Sequence, residues 1–191
     1  MNGYSEKDNL KTLLKASYEP TNVAKNTLLK SGYTLDPTLS NINSKVFLDA
    51  MGKPHITFRG SKHILDWVRD DPLIALGLGR YAPRVQQARE LTKKVEAKYG
   101  KPADVFGNSL GGALSEMSGA HGKIVTHNKA IAFTDAFKTI PKNQTDIRTW
   151  NDPVSVLGLT QKHKGRFVNT APKLGLIDAH LYTSLKDKFM V

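Results

Sequence analysis

The sequence contains no cysteine. That excludes disulfide bridges, a thiol nucleophile and thiolate metal sites, and it fits a reducing compartment. No apolar run approaches the ~20 residues that a bilayer-spanning helix needs. The opening residues, MNGYSEKDNLKTLLKASY, carry charges where a secretory signal needs its apolar stretch, so no export signal is expected. Internal repeats, low-complexity tracts and evident linkers are also missing. A chain of 191 residues with 39% hydrophobic content is expected to form a single domain with one sizeable core.

Acidic side chains are scarce beside basic ones, 17 against 28, for a net charge of +11. The excess tilts toward the C-terminal third, where residues 121–191 carry 11 basic and 5 acidic side chains. It is spread out, and no Lys/Arg block of the kind used in nucleic-acid tails occurs. The charge therefore reads as a solvated basic surface or as an attraction to an anionic membrane, with nucleic acid disfavoured.

What is present is a regular alternation of elements. Leu10, Leu13 and Leu14 mark one helix, and Pro20 and Gly32 bracket a second. SKVFLDAMGKPHITFRGS reads as two strands around a turn at Met51 to Pro54. Pro83 to Tyr99 carries Val85, Ala88, Leu91 and Val95 at helical spacing, with Gly100 as its stop. A strand at Val105 and Phe106, a helix from Leu110 to Ser118, and strands near Ile124, at Ile147 to Trp150 and at Arg166 to Asn169 follow. This pattern predicts a layered α/β fold.

The most informative stretch is ADVFGNSLGGALSEMSG. Gly107-Asn108-Ser109-Leu110-Gly111 matches G-x-S-x-G between a strand and a helix, the setting in which a serine is presented on a strained turn. Glycine two before and two after the serine relieves crowding, and the helix start favours developing negative charge. The motif lacks the Gly-Lys-Ser/Thr of a phosphate loop.

FGNSLGGAL resembles the nucleophile motif of class 3 (fungal-type) lipases, where G-H-S-L-G-G-A-L is typical. Asn108 departs from the commoner His. Upstream, ITFRGSKHILDW is similar to that family's second hallmark, an apolar strand ending in F-R-G-S/T. Downstream, RTWNDPVSVLG resembles its N-D-x-V-x-x-L segment. The resemblance spans about residues 45–182 and implies an α/β-hydrolase-like, mostly parallel sheet flanked by helices, with a nucleophile elbow. Residues 1–44 would form an N-terminal helical segment and 45–191 the hydrolase core. It implies a carboxylic ester hydrolase of lipase or phospholipase type. The first 45 residues further resemble the leader of compact lipase-like proteins of DNA viruses and virophages, which implies a cytoplasmic or virion-associated location.

Acyl transfer by serine needs a base, an acid that orients it, and donors for the oxyanion. With Ser109 as nucleophile, Asp152 is the first candidate acid, and Asp146 and Asp135 are alternatives. His180 is the first candidate base, in the family's C-terminal place. His163, in the charged stretch QKHKG and expected to be exposed, is the second. His55 and His63 precede the nucleophile, and His121 and His127 precede the acid. The oxyanion donors implied are Ser61, after FRG, and the Leu110 backbone N–H. Arg59 is expected to form a structural ion pair. Ile64, Leu65, Trp67 and Val68 form an apolar patch where the family carries a lid, or else an ordinary core helix. No metal or cofactor site is indicated. The expected partner is a lipid or other acyl ester, with an anionic membrane surface as a transient one. A soluble-ester hydrolase or acyltransferase, and an inactive basic binding module, are the competing readings.

Overall fold

The computed structural model describes residues 9–61, 82–131, 135–173, 178 and 180–184. Helices α1 (Asn9–Tyr18) and α2 (Thr21–Lys30) lead into strands β1 (Thr34–Asp36), β2 (Ser44–Leu48) and β3 (Pro54–Phe58). Helix α3 (Ala82–Tyr99), strand β4 (Asp104–Asn108), helix α4 (Leu110–Met117) and strand β5 (Ile124–His127) follow. The remainder supplies β6 (Thr139–Ile140), β7 (Gln144–Thr149), β8 (Lys162–His163) and β9 (Arg166–Thr170). A one-turn 3-10 helix at Val156–Thr160 joins β7 to β8, and another, Tyr182–Ser184, follows β9.

Among the described residues the main sheet runs β1-β2-β3-β4-β5-β7-β9. The pairs β1–β2 and β2–β3 are antiparallel, and every later pair is parallel. This is an α/β fold with a mostly parallel mixed sheet. Strands β6 and β8 form a separate parallel ribbon.

The β2–β3 turn forms because Asp49 Oδ1 accepts the backbone N–H groups of Met51 and Lys53, both at 2.9 Å. Pro54 opens β3, a strand position where its missing N–H is tolerated. Helices cover both faces of the sheet. On one side Val46, Ile56, Phe58 and Val105 pack with Val85, Ala88 and Val95 of α3 and with Leu110 and Leu114 of α4. On the other, Leu13, Ala16, Ala24 and Leu28 of α1 and α2 cover Phe47, while Leu10 and Leu14 cover Val125 and Ile147. With helices on both faces, every residue of β3 and β5 is buried, the polar His55, Thr57, Thr126 and His127 included.

Two features differ from expectation. The segment 1–44 is not helical alone, because β1 pairs with β2 and extends the sheet. His163 is not on an exposed loop. It lies in β8 with a side chain 12% exposed, against the Phe167 ring at 4.6 Å between centroids. The parallel strands aim their C-terminal ends, Phe58, Asn108, His127, Thr149 and Thr170, at one edge, where open α/β sheets bind ligands.

Candidate active site at the sheet edge

Ser109 stands between β4 and α4 with φ 59° and ψ −125°, a conformation that costs a non-glycine residue on the order of 1–3 kcal/mol. The surroundings enforce it. The Ser109 N–H donates to the His127 carbonyl at 3.0 Å, and the Ser109 carbonyl accepts from Gly112, Ala113 and Ala130. A Cβ on Gly107 would stand 2.1 Å from the Gly111 backbone, and one on Gly111 would stand 2.2 Å from the Phe58 carbonyl. Glycine at both places is therefore a steric requirement of the turn.

Asp152 follows β7, its N–H donating to the Thr149 carbonyl. Its Oδ2 accepts the Ser155 N–H at 2.9 Å and the Ser155 hydroxyl. Its Oδ1 lies 2.5 Å from His180 Nδ1. Burial pushes this carboxyl up, but the hydrogen bond and charge of His180 and the two bonds from Ser155 outweigh it, and the net direction is down. The carboxylate therefore stays ionised beside the imidazole. His180 is itself buried, and its Nε2 has no hydrogen-bond partner among the described residues. An imidazole held at Nδ1 by a carboxylate, with Nε2 left open, is poised to take a proton from a hydroxyl.

The elbow and the histidine are connected through the end of β5. His127 receives the Ser109 N–H, and the next residue, Asn128, donates from Nδ2 to the His180 carbonyl at 3.2 Å. Asn128 Oδ1 accepts the Thr149 N–H at 2.7 Å, which ties in the strand before the acid. His127 is fully buried, and burial followed by the nearby His180 charge pushes it down to about 3, against the pull of Asp152.

The turn after β3 lies against the elbow. A Cβ on Gly60 would stand 2.8 Å from the Asn108 carbonyl and 3.5 Å from Ser109 Cβ. Ser61, the next residue, is half-buried beside it. Leu110 is the first residue of α4, so its N–H is among those that have no partner within the helix.

The alternative candidates are engaged elsewhere. Asp146 bonds Lys129 Nζ at 2.9 Å, Thr126 Oγ1 at 2.6 Å and Gln144 Nε2 at 2.7 Å, inside a buried cluster that also contains Glu116. The Asp135 carboxylate pairs with no histidine among the described residues, and its backbone carbonyl accepts from Gln161. His163 Nδ1 stands 3.6 Å from Asp146, His121 pairs with Glu96 at the surface, and His55 pairs with Asp49. Arg59 meets no carboxylate among the described residues; it bonds the Ile42 carbonyl and lies 5.9 Å from the Tyr18 ring centroid. Ile64, Leu65, Trp67 and Val68 lie outside the described residues.

Sequence reasoning passed over three residues here. Ser155 had a local signal, since Asp-x-x-Ser lets the carboxylate accept the N–H three residues on. His127 and Tyr18 had none, because their partners are remote in sequence.

No protein-family model matches the chain, and no curated protein matches it. Its structure is similar to that of a mutant of MDLA from Penicillium cyclopium, with TM-score 0.56 and 18% identity over 88% of this chain and 80% of that one. Weaker likenesses are to the Rhizomucor miehei lipase propeptide complex. A deletion mutant gives TM-score 0.47 and 18% identity over 76% of this chain, and the native form gives 0.45 and 16% over 76%. This chain spans 58% and 60% of those two chains. At such identities the MDLA likeness shows a shared fold alone.

Proposed function

We propose that the protein is a serine hydrolase of α/β-hydrolase type, cleaving carboxylic esters of lipids as a lipase or phospholipase. Ser109 is the nucleophile, His180 the base and Asp152 the acid that orients it. The Leu110 N–H and Ser61 serve as oxyanion donors. The observation that carries this reading is the buried Asp152–His180 pair, with Nε2 open, at the same sheet edge as a serine on a strained strand-to-helix turn. The chain order nucleophile, acid, base is the order of that enzyme class.

In the proposed reaction His180 Nε2 takes the Ser109 hydroxyl proton as Oγ attacks the ester carbonyl. The tetrahedral oxyanion is held by the donors at positions 61 and 110. His180 then returns the proton to the leaving alcohol, and water repeats the sequence on the acyl-enzyme. Asp152 stays ionised throughout, as the bonds from Ser155 favour.

The substrate class rests on the motif resemblance, as does the assignment of Ile64, Leu65, Trp67 and Val68 to a lipid-contacting lid. An origin in a DNA virus or virophage rests on the resemblance of residues 1–45. The basic surface supports transient attraction to an anionic leaflet, at roughly 1 kcal/mol per Lys or Arg brought near it. The test is labelling with a fluorophosphonate and mapping of the adduct. Modification at Ser109, absent in Ser109→Ala, is expected, with hydrolysis of a short-chain aryl ester lost in parallel. An unlabelled Ser109 together with full esterase activity in Ser109→Ala would end the assignment.

A further inference from the structure

Three segments that this chemistry needs meet at one side chain from the N-terminal helix. Tyr18 is the last residue of α1. Its ring stacks on that of Tyr182, two residues after His180, with centroids 5.5 Å apart and planes 22° from parallel. Its hydroxyl accepts from Asn108 Nδ2 at 3.4 Å, and Asn108 is the residue before Ser109. The same hydroxyl takes a hydrogen bond from the backbone of Gly60, the residue before Ser61. A Cβ on Gly60 would stand 2.5 Å from that hydroxyl oxygen, so the turn fits closely against it.

The direction of these bonds is fixed from the other end. Asn108 Oδ1 lies 2.6 Å from His127 Nδ1. A carbonyl oxygen only accepts, so Nδ1 carries the proton and the amide nitrogen faces Tyr18. Both ends keep their protonation state. His127 remains neutral for the reason given above, and burial raises the Tyr18 phenol against the opposing bonds from Asn108 and Gly60. The result is a buried polar chain, His127 to Asn108 to Tyr18, closed by Gly60.

We propose that Tyr18 is a positioning residue, resting on the hydrolase reading: its hydroxyl fixes the Gly60–Ser61 turn relative to Ser109, and its ring seats the segment that carries His180. Nothing in this role requires Tyr18 to touch substrate. It makes the N-terminal helix part of the catalytic assembly.

The test is Tyr18→Phe, which keeps the ring stack and removes the hydroxyl. The expected result is a kcat lowered about 10- to 100-fold with KM little changed, since small misplacements cost that much. Affinity for an alkyl boronic acid, which forms a tetrahedral adduct on the serine, should weaken by a similar factor. Amide hydrogen exchange at Gly60 should quicken. His127→Phe, which releases the Asn108 amide to turn over, should move all three readouts the same way by less, and it serves if Tyr18→Phe does not fold. Wild-type kcat and boronate affinity in these variants, even with a lowered melting point, would overturn the proposal and leave Tyr18 a packing residue. A wild-type protein unreactive at Ser109 would instead overturn the hydrolase reading and the positioning role with it.

Discussion

His180 Nδ1 lies 2.5 Å from Asp152 Oδ1, and both side chains are buried at 2% and 0% exposure. An aspartate that also accepts two bonds from Ser155 cannot rotate without breaking all three contacts. The imidazole is therefore held in one orientation and one tautomer, with Nε2 as acceptor.

That arrangement makes Asp152→Asn a sharp test. An amide that turns its N–H toward Nδ1 would force the proton onto Nε2 and remove the base. The expected loss in kcat is about 10⁴-fold, with the fold intact by circular dichroism. Asp146→Asn is the control. It lies in the Lys129 cluster, so it should lower stability and leave the proton transfer in place.

The elbow glycines should differ sharply from their neighbour. Gly107→Ala drives a Cβ to 2.1 Å from backbone that cannot yield, whereas Gly112→Ala meets its nearest atoms at 3.2 and 3.3 Å. Overpacking of the first kind costs about 1–3 kcal/mol or more. Thermal melts should show Gly107→Ala severely destabilised or insoluble and Gly112→Ala shifted by a few degrees at most. Equal melting points would mean that the turn is looser than its geometry requires.

Much of this was legible in the sequence because it is local. The glycine spacing around Ser109, the turn expected at Met51 to Pro54 and the 3.6-residue period of α3 each follow from neighbours a few positions apart. A short motif singles out Asp152, and chain order and place single out His180, but the contact between them spans 28 positions and has no local signal. Strands β1, β6 and β8 were not legible, since two or three residues carry no period. The stretch QKHKG reads as exposed, yet His163 is inward because its lysine neighbours alternate across a strand and its own side chain packs on Phe167. The chain from His127 to Tyr18 joins positions 19 and 90 residues apart, which the β4–β5 register and the packing of α1 on the sheet bring together.

Lys129 is buried between Glu116 and Asp146, and Glu116 also takes Lys138 at 3.1 Å. Burial pushes Glu116 up, yet Lys129, Gln144 and Lys138 outweigh it and bring its carboxyl down. Lys129→Ala would strand two buried carboxylates. A loss of about 3–5 kcal/mol is expected from urea unfolding, the usual cost of removing one partner of a buried pair. A loss below about 1 kcal/mol would mean that water reaches the cluster, as it does for surface pairs.

His127 contributes to the acid response, beside His55, whose value burial also lowers. The folded value of His127 is pushed from the ordinary 6.5 down to about 3, first by burial and then by His180. Below the ordinary value the unfolded chain binds a proton that the folded chain refuses. The unfolded state then holds more protons, so stability rises with pH across this window. Its contribution is complete above about 6.5 and erodes as pH falls toward about 3. One such proton amounts to roughly 1 kcal/mol per pH unit. Asp152, with its value lowered, adds to the loss only below the ordinary carboxylate range. Urea midpoints from about pH 8 to about pH 4 should therefore fall, and His127→Gln should flatten the fall above the carboxylate range. Gln retains a donor for Asn108 Oδ1 and removes the titration, so a variant whose midpoints run parallel to the wild type would place the acid sensitivity elsewhere in the molecule.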